Sequence, residues 1–371
     1  MQDAALSSAA EDHRLVVESI GSASPGLAAV LASQLGMPAS QVARALYKAP
    51  AVLLDRLSIT HARGLAEILG QAGMEIRVEP SRSPLPAAPQ SLDIALYLRD
   101  PACLASCCEH LSRFLGCTPM AARNLLMAPP GVVIGDVTQA TADALQRVLG
   151  DLPVEVICSA RHQARYQLFI ERQQGQAMNT LLGDLRRMGI PSDDSSALAN
   201  AEFDHQQGQY LWRRHQSAGG LRLLDKAFLR YDLILEHAGP DSRLDQLPAL
   251  AGLPADLIPC VLENLPVVVE EGVSATALPG RLAAWAVTGM SVQAQLASLR
   301  CCRLVIQSCP QPALCRELLL TGGLIDPDAP LPALPWASGL LFGELLPRWL
   351  ESGLNALEAE YLFEDCAHDH H

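Results

Sequence analysis

The chain has 371 residues, 49% of them hydrophobic and only 4% aromatic, and its formal net charge is −13. A single core stops growing at about 250–300 residues, so more than one domain is expected. The acidic charge argues against nucleic acid and anionic membranes as partners. The chain lacks a run of about 18 apolar residues, so no membrane-spanning helix is predicted.

Residues 13–80 are predicted to form one small α+β unit with the element order β-α-α-β-α-β. The run RLVVES at 14–19 is typical of a strand, and PGLAAVLASQLG at 25–36 has helical spacing and ends at a glycine. The remaining predicted elements are a helix at 38–47, a strand at 50–54, a helix capped by Ser58 and an alternating strand at 74–79.

Residues 91–160 and 229–300 repeat this order, so they are predicted to be the second and fourth units. The second unit has predicted helices at 102–115, 119–127 and 138–149 and strands at 93–98, 131–134 and 153–158. The fourth has predicted helices at 243–251 and 255–263, a third helix ending near Gly289, and strands at 231–236, 266–274 and 292–296.

Residues 165–228 and 301–365 are predicted to be degraded third and fifth copies. The polar middle of the third copy, residues 193–204, predicts no strand, and the four prolines within 326–335 exclude a regular helix there. The other predicted elements are strands at 166–171, 221–228 and 356–363, helices at 176–188, 209–217 and 312–320, a stop at Gly219 and Gly220, and a long helix within 337–352.

The predicted fold class is therefore α+β, with five tandem units of about 70 residues. Residues 81–90 contain three prolines and are predicted to be an extended spacer, which lets the first unit move relative to the second. Units three to five have almost no linkers and are expected to pack as one block. A single α/β domain with accidental periodicity is the alternative interpretation.

Units one, two and four resemble the C-terminal domain of the bacterial ribosomal stalk protein, a fold shared with the N-degron adaptor of the Clp protease. The resemblance is based on LGMPASQVARAL at 35–46, APAVL at 49–53 and LPADLIPCVLENLPVVVEEGVS at 253–274. It implies a non-enzymatic protein-binding module. In the stalk family a lysine-rich helix face contacts translation GTPases, whereas unit one offers only Arg44 and Lys48. No functional residue is carried over.

Cysteines provide the main alternative function, metal handling or redox chemistry. One cluster is Cys103, Cys107, Cys108 and Cys117, and another is Cys301, Cys302, Cys309 and Cys315. Neither contains the Cys-x2-Cys spacing of common zinc sites, so burial in the core is the favoured interpretation. The tail at 366–371 contains Cys366, His368, His370 and His371, which are weak metal-ligand candidates.

Isolated histidines and tryptophans complete the search for chemistry. His205 beside Asp204 could act as a base, but no nucleophile accompanies it, so His205 and His215 are interpreted as solvated surface side chains. The four tryptophans are predicted to pack in cores or between units: Trp212, Trp285, Trp336 and Trp349.

The sequence predicts a non-enzymatic scaffold or adaptor that binds one or more proteins and needs no cofactor. Repeated helix pairs suit such a role, and the predicted partner-binding residues are Val42, Leu46, Met120 and Leu126. The start of the chain lacks the basic and apolar regions of a secretion signal, so a cytoplasmic, bacterial protein with reduced thiols is expected.

Overall fold

The structure of the protein is a computed structural model. It describes residues 12–23, 26–170, 176–190, 201–218, 221–240, 242–330 and 332–366. In these ranges the chain is a mixed α+β protein with five three-stranded antiparallel sheets, which confirms the predicted class. None of the described helices has the length and apolar character needed to cross a membrane. The chain divides into two compact units.

The first compact unit begins with a sheet in the order β2-β1-β3, so its first strand is central. Its elements are β1 (His13–Ser19), α1 (Gly26–Leu35), α2 (Ala39–Tyr47), β2 (Ala51–Leu57), α3 (Ile59–Gln71) and β3 (Glu75–Pro80). Ser58 caps α3 as predicted, since its side chain accepts a hydrogen bond from the His61 amide at 3.3 Å.

The second sheet of this unit has the equivalent order β5-β4-β6. Its elements are β4 (Leu92–Leu98), α4 (Leu104–Leu115), α5 (Pro119–Met127), β5 (Val132–Val137), α6 (Gln139–Leu149) and β6 (Val154–Ala160). Gly116 ends α4 in the left-handed conformation, with φ of 67°. A side chain is disfavoured at such a position, which explains the glycine stop seen in the sequence.

The predicted freedom of the first sheet relative to the second is not supported, because the two belong to one compact unit. The Thr141 hydroxyl donates to the Tyr47 carbonyl at 2.8 Å, and the Tyr47 hydroxyl donates to the Phe114 carbonyl at 3.0 Å. Arg147 also pairs with Glu75 at 2.6 Å. These contacts join the two sheets directly and do not involve the proline-rich spacer. The composition of the spacer did not predict them.

The second compact unit begins with a small sheet in the order β8-β7-β9. Its elements are β7 (Tyr166–Ile170), α7 (Gln176–Arg187), β8 (Glu202–Phe203), α8 (His205–His215) and β9 (Leu221–Asp225). The expectation of no strand in 193–204 was wrong. Glu202 and Phe203 pair with β7, and Phe203 is fully buried. Residues 193–200 and the glycine pair at 219–220 lie outside the described residues.

The fourth sheet has the order β11-β10-β12. Its elements are β10 (Arg230–Ala238), α9 (Leu247–Ala251), α10 (Ile258–Glu263), β11 (Val267–Ser274), α11 (Leu278–Ala286) and β12 (Met290–Leu296). The two predicted helices before β11 are therefore shorter than expected, and each is preceded by a 3-10 turn. Trp285 fills the core of this sheet and is 1% exposed, as predicted for a packing residue.

The fifth sheet has the order β14-β13-β15. Its elements are β13 (Cys301–Ser308), α12 (Pro312–Gly322), β14 (Trp336–Phe342), α13 (Leu345–Ala356) and β15 (Glu360–Asp365). The helix predicted within 337–352 was wrong at its start, because residues up to Phe342 form a strand paired with β13. Gly343, with φ of 88°, separates that strand from α13. Trp336 and Trp349 pack against this core.

The three sheets of the second unit follow one another almost directly, as the short predicted joints indicated. Only residues 226–229 separate β9 from β10, and only residues 297–300 separate β12 from β13. Arg230, the first residue of β10, contacts the second of these connections: its amide donates to Ser298 Oγ at 2.8 Å and its carbonyl accepts from the Ala297 amide at 2.9 Å.

Candidate functional site

The helix pairs α1–α2 and α4–α5 carry the four residues predicted to bind a partner. Val42 and Leu46 on α2 are 0% exposed and Leu126 on α5 is 4% exposed, so these three predictions are wrong. Val42 and Leu46 lie four residues apart on the face of α2 that packs against β1. Met120 is 60% exposed and remains available to a partner.

Large apolar side chains do reach solvent on the helical side of four sheets, at Met120 and at three positions that were not predicted. Helix α1 exposes one such residue, α5 and α12 each expose another, and the 3-10 turn before α10 exposes a fourth. These residues, here called the exposed apolar set, are Val30, Met120, Leu257 and Leu314. A single exposed apolar residue is ordinary on a protein surface, so these four residues are candidate contacts only because one recurs on each of four helical layers.

A groove of the first unit lies between α2 and β5, with a volume of about 630 Å³. It is lined by Arg44 and Tyr47 of α2, by Lys48 directly after that helix, and by Ile134 to Val137 of β5. Lys48 forms an ion pair with Asp136. The hydrogen bonds from Lys48 and then Ser91 hold the pKa of Asp136 below its usual value. Arg44 is exposed and forms no ion pair with a described residue, so it can bind an acidic group.

A buried carboxylate organises the third sheet, where sequence reasoning expected only solvated histidines. Asp184 of α7 is 1% exposed and lies between α7 and α8. His215 Nε2 lies 2.9 Å from Asp184 Oδ2, and Arg214 Nε lies 2.6 Å from the same oxygen. Arg187 and Tyr210 contact Oδ1 at 2.8 and 3.4 Å. His215 is itself 5% exposed, so its interpretation as a surface side chain was wrong.

This network keeps Asp184 ionised. Burial acts to raise the pKa of Asp184, but the hydrogen bond from His215 and the charges of Arg214 and Arg187 outweigh it, and the net pKa is lowered. An ionised carboxylate only accepts hydrogen bonds, so Nε2 of His215 carries the shared proton. The arrangement ties α8 to α7 and fixes the side chains of Tyr210 and Arg214.

His205, the histidine considered as a possible base, makes contacts that stabilise the structure. Its Nδ1 lies 3.4 Å from the Tyr166 hydroxyl, and its Nε2 lies 2.8 Å from Gln209. The neighbouring Asp204 caps α8 and accepts a hydrogen bond from the Gln207 amide at 2.9 Å. Asp204 therefore stabilises the helix start instead of orienting His205.

Both cysteine clusters contain fully buried thiols. Cys107, Cys302 and Cys315 are 0% exposed, and burial raises the pKa of Cys107 to about 12. Protonated, buried thiols are poor metal ligands. Among the residues that the structure describes, no group of three or more His, Cys, Asp or Glu side chains is placed to hold a metal ion.

A thiol-labelling experiment tests the burial of Cys107, with the exposed Cys260, which lies outside both clusters, as the reference. At mildly alkaline pH we expect an alkylating reagent to modify Cys260 quickly and Cys107 at least about a hundredfold more slowly, because the thiolate is the reactive form and Cys107 is inaccessible. Peptide mass spectrometry of timed samples measures both rates on the full chain. Equal rates would show that α4 opens readily, contrary to the packing described above.

The Cys/His tail is described only at its first residue. Cys366 is partly buried, and its amide donates to the Cys301 carbonyl at 3.0 Å. The other three weak metal candidates, His368, His370 and His371, lie outside the described residues. Metal binding by the tail therefore stays a prediction.

Comparison with protein-family models, with curated proteins and with solved structures gives no match to this chain.

Proposed function

We propose that the chain is a tandem array of five diverged copies of one unit and acts as a non-enzymatic protein-binding scaffold in the bacterial cytoplasm. The main observation in support of the proposed repeat is that the first strand lies in the centre of all five sheets. A glycine with φ between 60° and 80° follows the helix after the first strand in every sheet: Gly36, Gly116, Gly189, Gly252 and Gly323.

Prolines mark a second recurring position and support common ancestry of the sheets. A proline lies just before the second strand of four sheets: Pro50, Pro130, Pro266 and Pro335. Unrelated α+β domains have no physical reason to share both the glycine and the proline positions. The third and fifth copies depart in their middles; in the fifth, one helix stands where the first, second and fourth copies have two.

The scaffold role is supported by the distribution of accessible apolar groups. The exposed apolar set places one large side chain on the helical layer of four units. Contacts repeated along one chain raise overall affinity through effective concentration without any single strong site. The resemblance to the stalk-type domain supports the same role. The scarcity of lysine on the helix pairs argues for a partner other than a translation GTPase.

Substitution of Met120 tests the proposed function. The chain without its Cys/His tail at 366–371 is immobilised and exposed to extract from its source organism. Bound proteins are quantified by mass spectrometry. We expect Met120→Asp to reduce recovery of at least one partner about tenfold, because a charge would have to be desolvated at an apolar contact.

Val287→Asp is the matched control, because Val287 is 68% exposed and lies outside the helix pairs. It should leave recovery unchanged, and both variants should retain wild-type circular dichroism. Equal losses in the two variants would contradict the assignment of Met120. Recovery of no protein above background by the wild-type chain would contradict the scaffold role itself.

A further inference from the structure

The solvent-facing side of α8 has the composition of a protein-binding hot spot. It presents five exposed residues, here called the α8 face: Gln206, Gln209, Tyr210, Arg213 and Arg214. Trp212 is exposed on the flank of the same helix. Tyr210 is 42% exposed and Trp212 is 45% exposed. Trp212 was predicted to pack in a core or between units, so its exposure is a correction. Tyrosine, tryptophan and arginine are the residues most enriched where single side chains contribute most to binding.

The α8 face also carries exposed positive charge, although the chain as a whole is acidic. A shallow, open depression of about 370 Å³ is lined by its five residues. Helix α8 contains no acidic residue, and α7 ends with Arg186 and Arg187. Arg213 forms no ion pair with any residue that the structure describes. An exposed guanidinium group without such an ion pair is suited to a bidentate contact with a carboxylate.

The Asp184 network holds the α8 face in place. Tyr210 and Arg214 both contact the buried carboxylate, which restricts their side chains before any partner arrives. His215 anchors the opposite side of the helix to the same group. Preorganised side chains lose less conformational entropy on binding, so this rigidity favours affinity.

We infer that the α8 face is a docking surface for an acidic segment of a partner protein. The inference rests on the proposed scaffold function and names the chemistry of one partner. Carboxylates would pair with Arg213 and the exposed side of Arg214, while an apolar group would pack against Tyr210. A nucleic acid is the less favoured occupant, because its phosphates extend beyond this short patch into the field of a chain carrying a net charge of −13.

Selection from a library of displayed random peptides tests the inference on the full-length protein. The library is first depleted on the variant Tyr210→Ala/Arg213→Glu and then selected on the wild-type chain. We expect the enriched peptides to be rich in Asp and Glu and to bind the variant at least about tenfold more weakly than the wild type. Their affinity should also fall as salt is raised, because screening weakens exposed charge pairs.

Two further variants keep the test interpretable. Gln206→Glu adds a negative charge to the α8 face without removing a packed side chain, and it should weaken the same peptides. Leu85→Ala/Arg82→Glu makes an equivalent change in the exposed spacer between the first two sheets and should leave their binding unchanged. Peptides that depend on Leu85 and Arg82 instead would leave the scaffold role intact and overturn the α8 inference.

Three other outcomes would overturn it as well. These are the absence of any enriched peptide, an enriched set without acidic residues, and a single-stranded oligonucleotide that binds the α8 face more tightly than the selected peptides. Hydrogen exchange in α7 and α8 verifies that each variant keeps the fold of this sheet.

Discussion

Replacement of Asp184 by asparagine is expected to lower the free energy of local unfolding of the third sheet by about 3 kcal/mol. The carboxylate is fully buried and accepts contacts from His215, Arg214, Arg187 and Tyr210. An amide keeps the shape but loses the charge, and hydrogen bonds to charged groups are each worth about 1.5–3 kcal/mol. Part of the loss is recovered because Arg187 and Arg214 can regain water.

Native-state hydrogen exchange of the most protected amides in α7 and α8 measures this loss without assuming that all five sheets unfold together. Glu109→Gln is the matched control: it removes an exposed carboxylate paired with Arg113 on α4 and should cost about 0.5 kcal/mol or less. A similar small effect of Asp184→Asn would show that the buried network contributes little.

The same variant predicts a pH dependence whose direction follows from the lowered pKa of Asp184. The folded state binds this proton less readily than the unfolded state, where the carboxyl titrates near about 3.9. The stabilisation is therefore complete above that value and is lost as pH falls through the folded pKa. The stability difference between wild type and Asp184→Asn should be constant near neutral pH and shrink in strong acid. A difference that grew in acid would contradict an ionised Asp184.

Truncation of Leu46 to alanine is expected to destabilise the first sheet by about 2–5 kcal/mol, whereas Met120→Ala should cost about 0.5 kcal/mol or less. The two residues were equivalent as surface predictions, but Leu46 is 0% exposed and Met120 is 60% exposed. Truncation of a packed side chain leaves a cavity in the core, whereas the space left by an exposed side chain is filled by solvent. Hydrogen exchange of β1 and α2 reports the first effect, and that of α4 and α5 the second.

These two substitutions also separate folding from binding. Leu46→Ala should reduce partner recovery only in proportion to the unfolded fraction of the first sheet, and a lower temperature should restore it. Met120→Ala should reduce recovery at any temperature at which the protein is folded. Equal stability losses for the two would show that the burial pattern of the helix pairs is wrong.

Local patterns in the sequence correctly predicted most elements, because their causes are local. Alternating residues mark β3, the Ser58 hydroxyl caps α3, and glycine permits the left-handed turn after α4. Predictions of secondary structure were wrong where a single residue separates two elements or where a strand is very short. Gly343 ends a strand before α13 begins, and a two-residue strand, Glu202–Phe203, completes a sheet too briefly to leave a pattern.

The exposed surfaces were less predictable than the elements. Helical spacing identifies which residues share a face, but it does not say whether that face meets a sheet or a solvent. Val42 and Leu46 were therefore placed on the surface and Trp212 in the interior, and the structure reverses both assignments. The Asp184–His215 contact joins residues 31 positions apart, and no local pattern predicts it.

The sequence by itself determined the α+β class, the positions of most strands and helices and the acidic charge, because these depend on spacing, propensity and composition within short windows. Tertiary structure alone decided which apolar residues are buried, that the first two sheets share a compact unit, and that α8 presents an arginine and aromatic face anchored on a buried carboxylate. Those properties arise from contacts between distant segments, whose free energy depends on burial and geometry that a linear pattern does not contain.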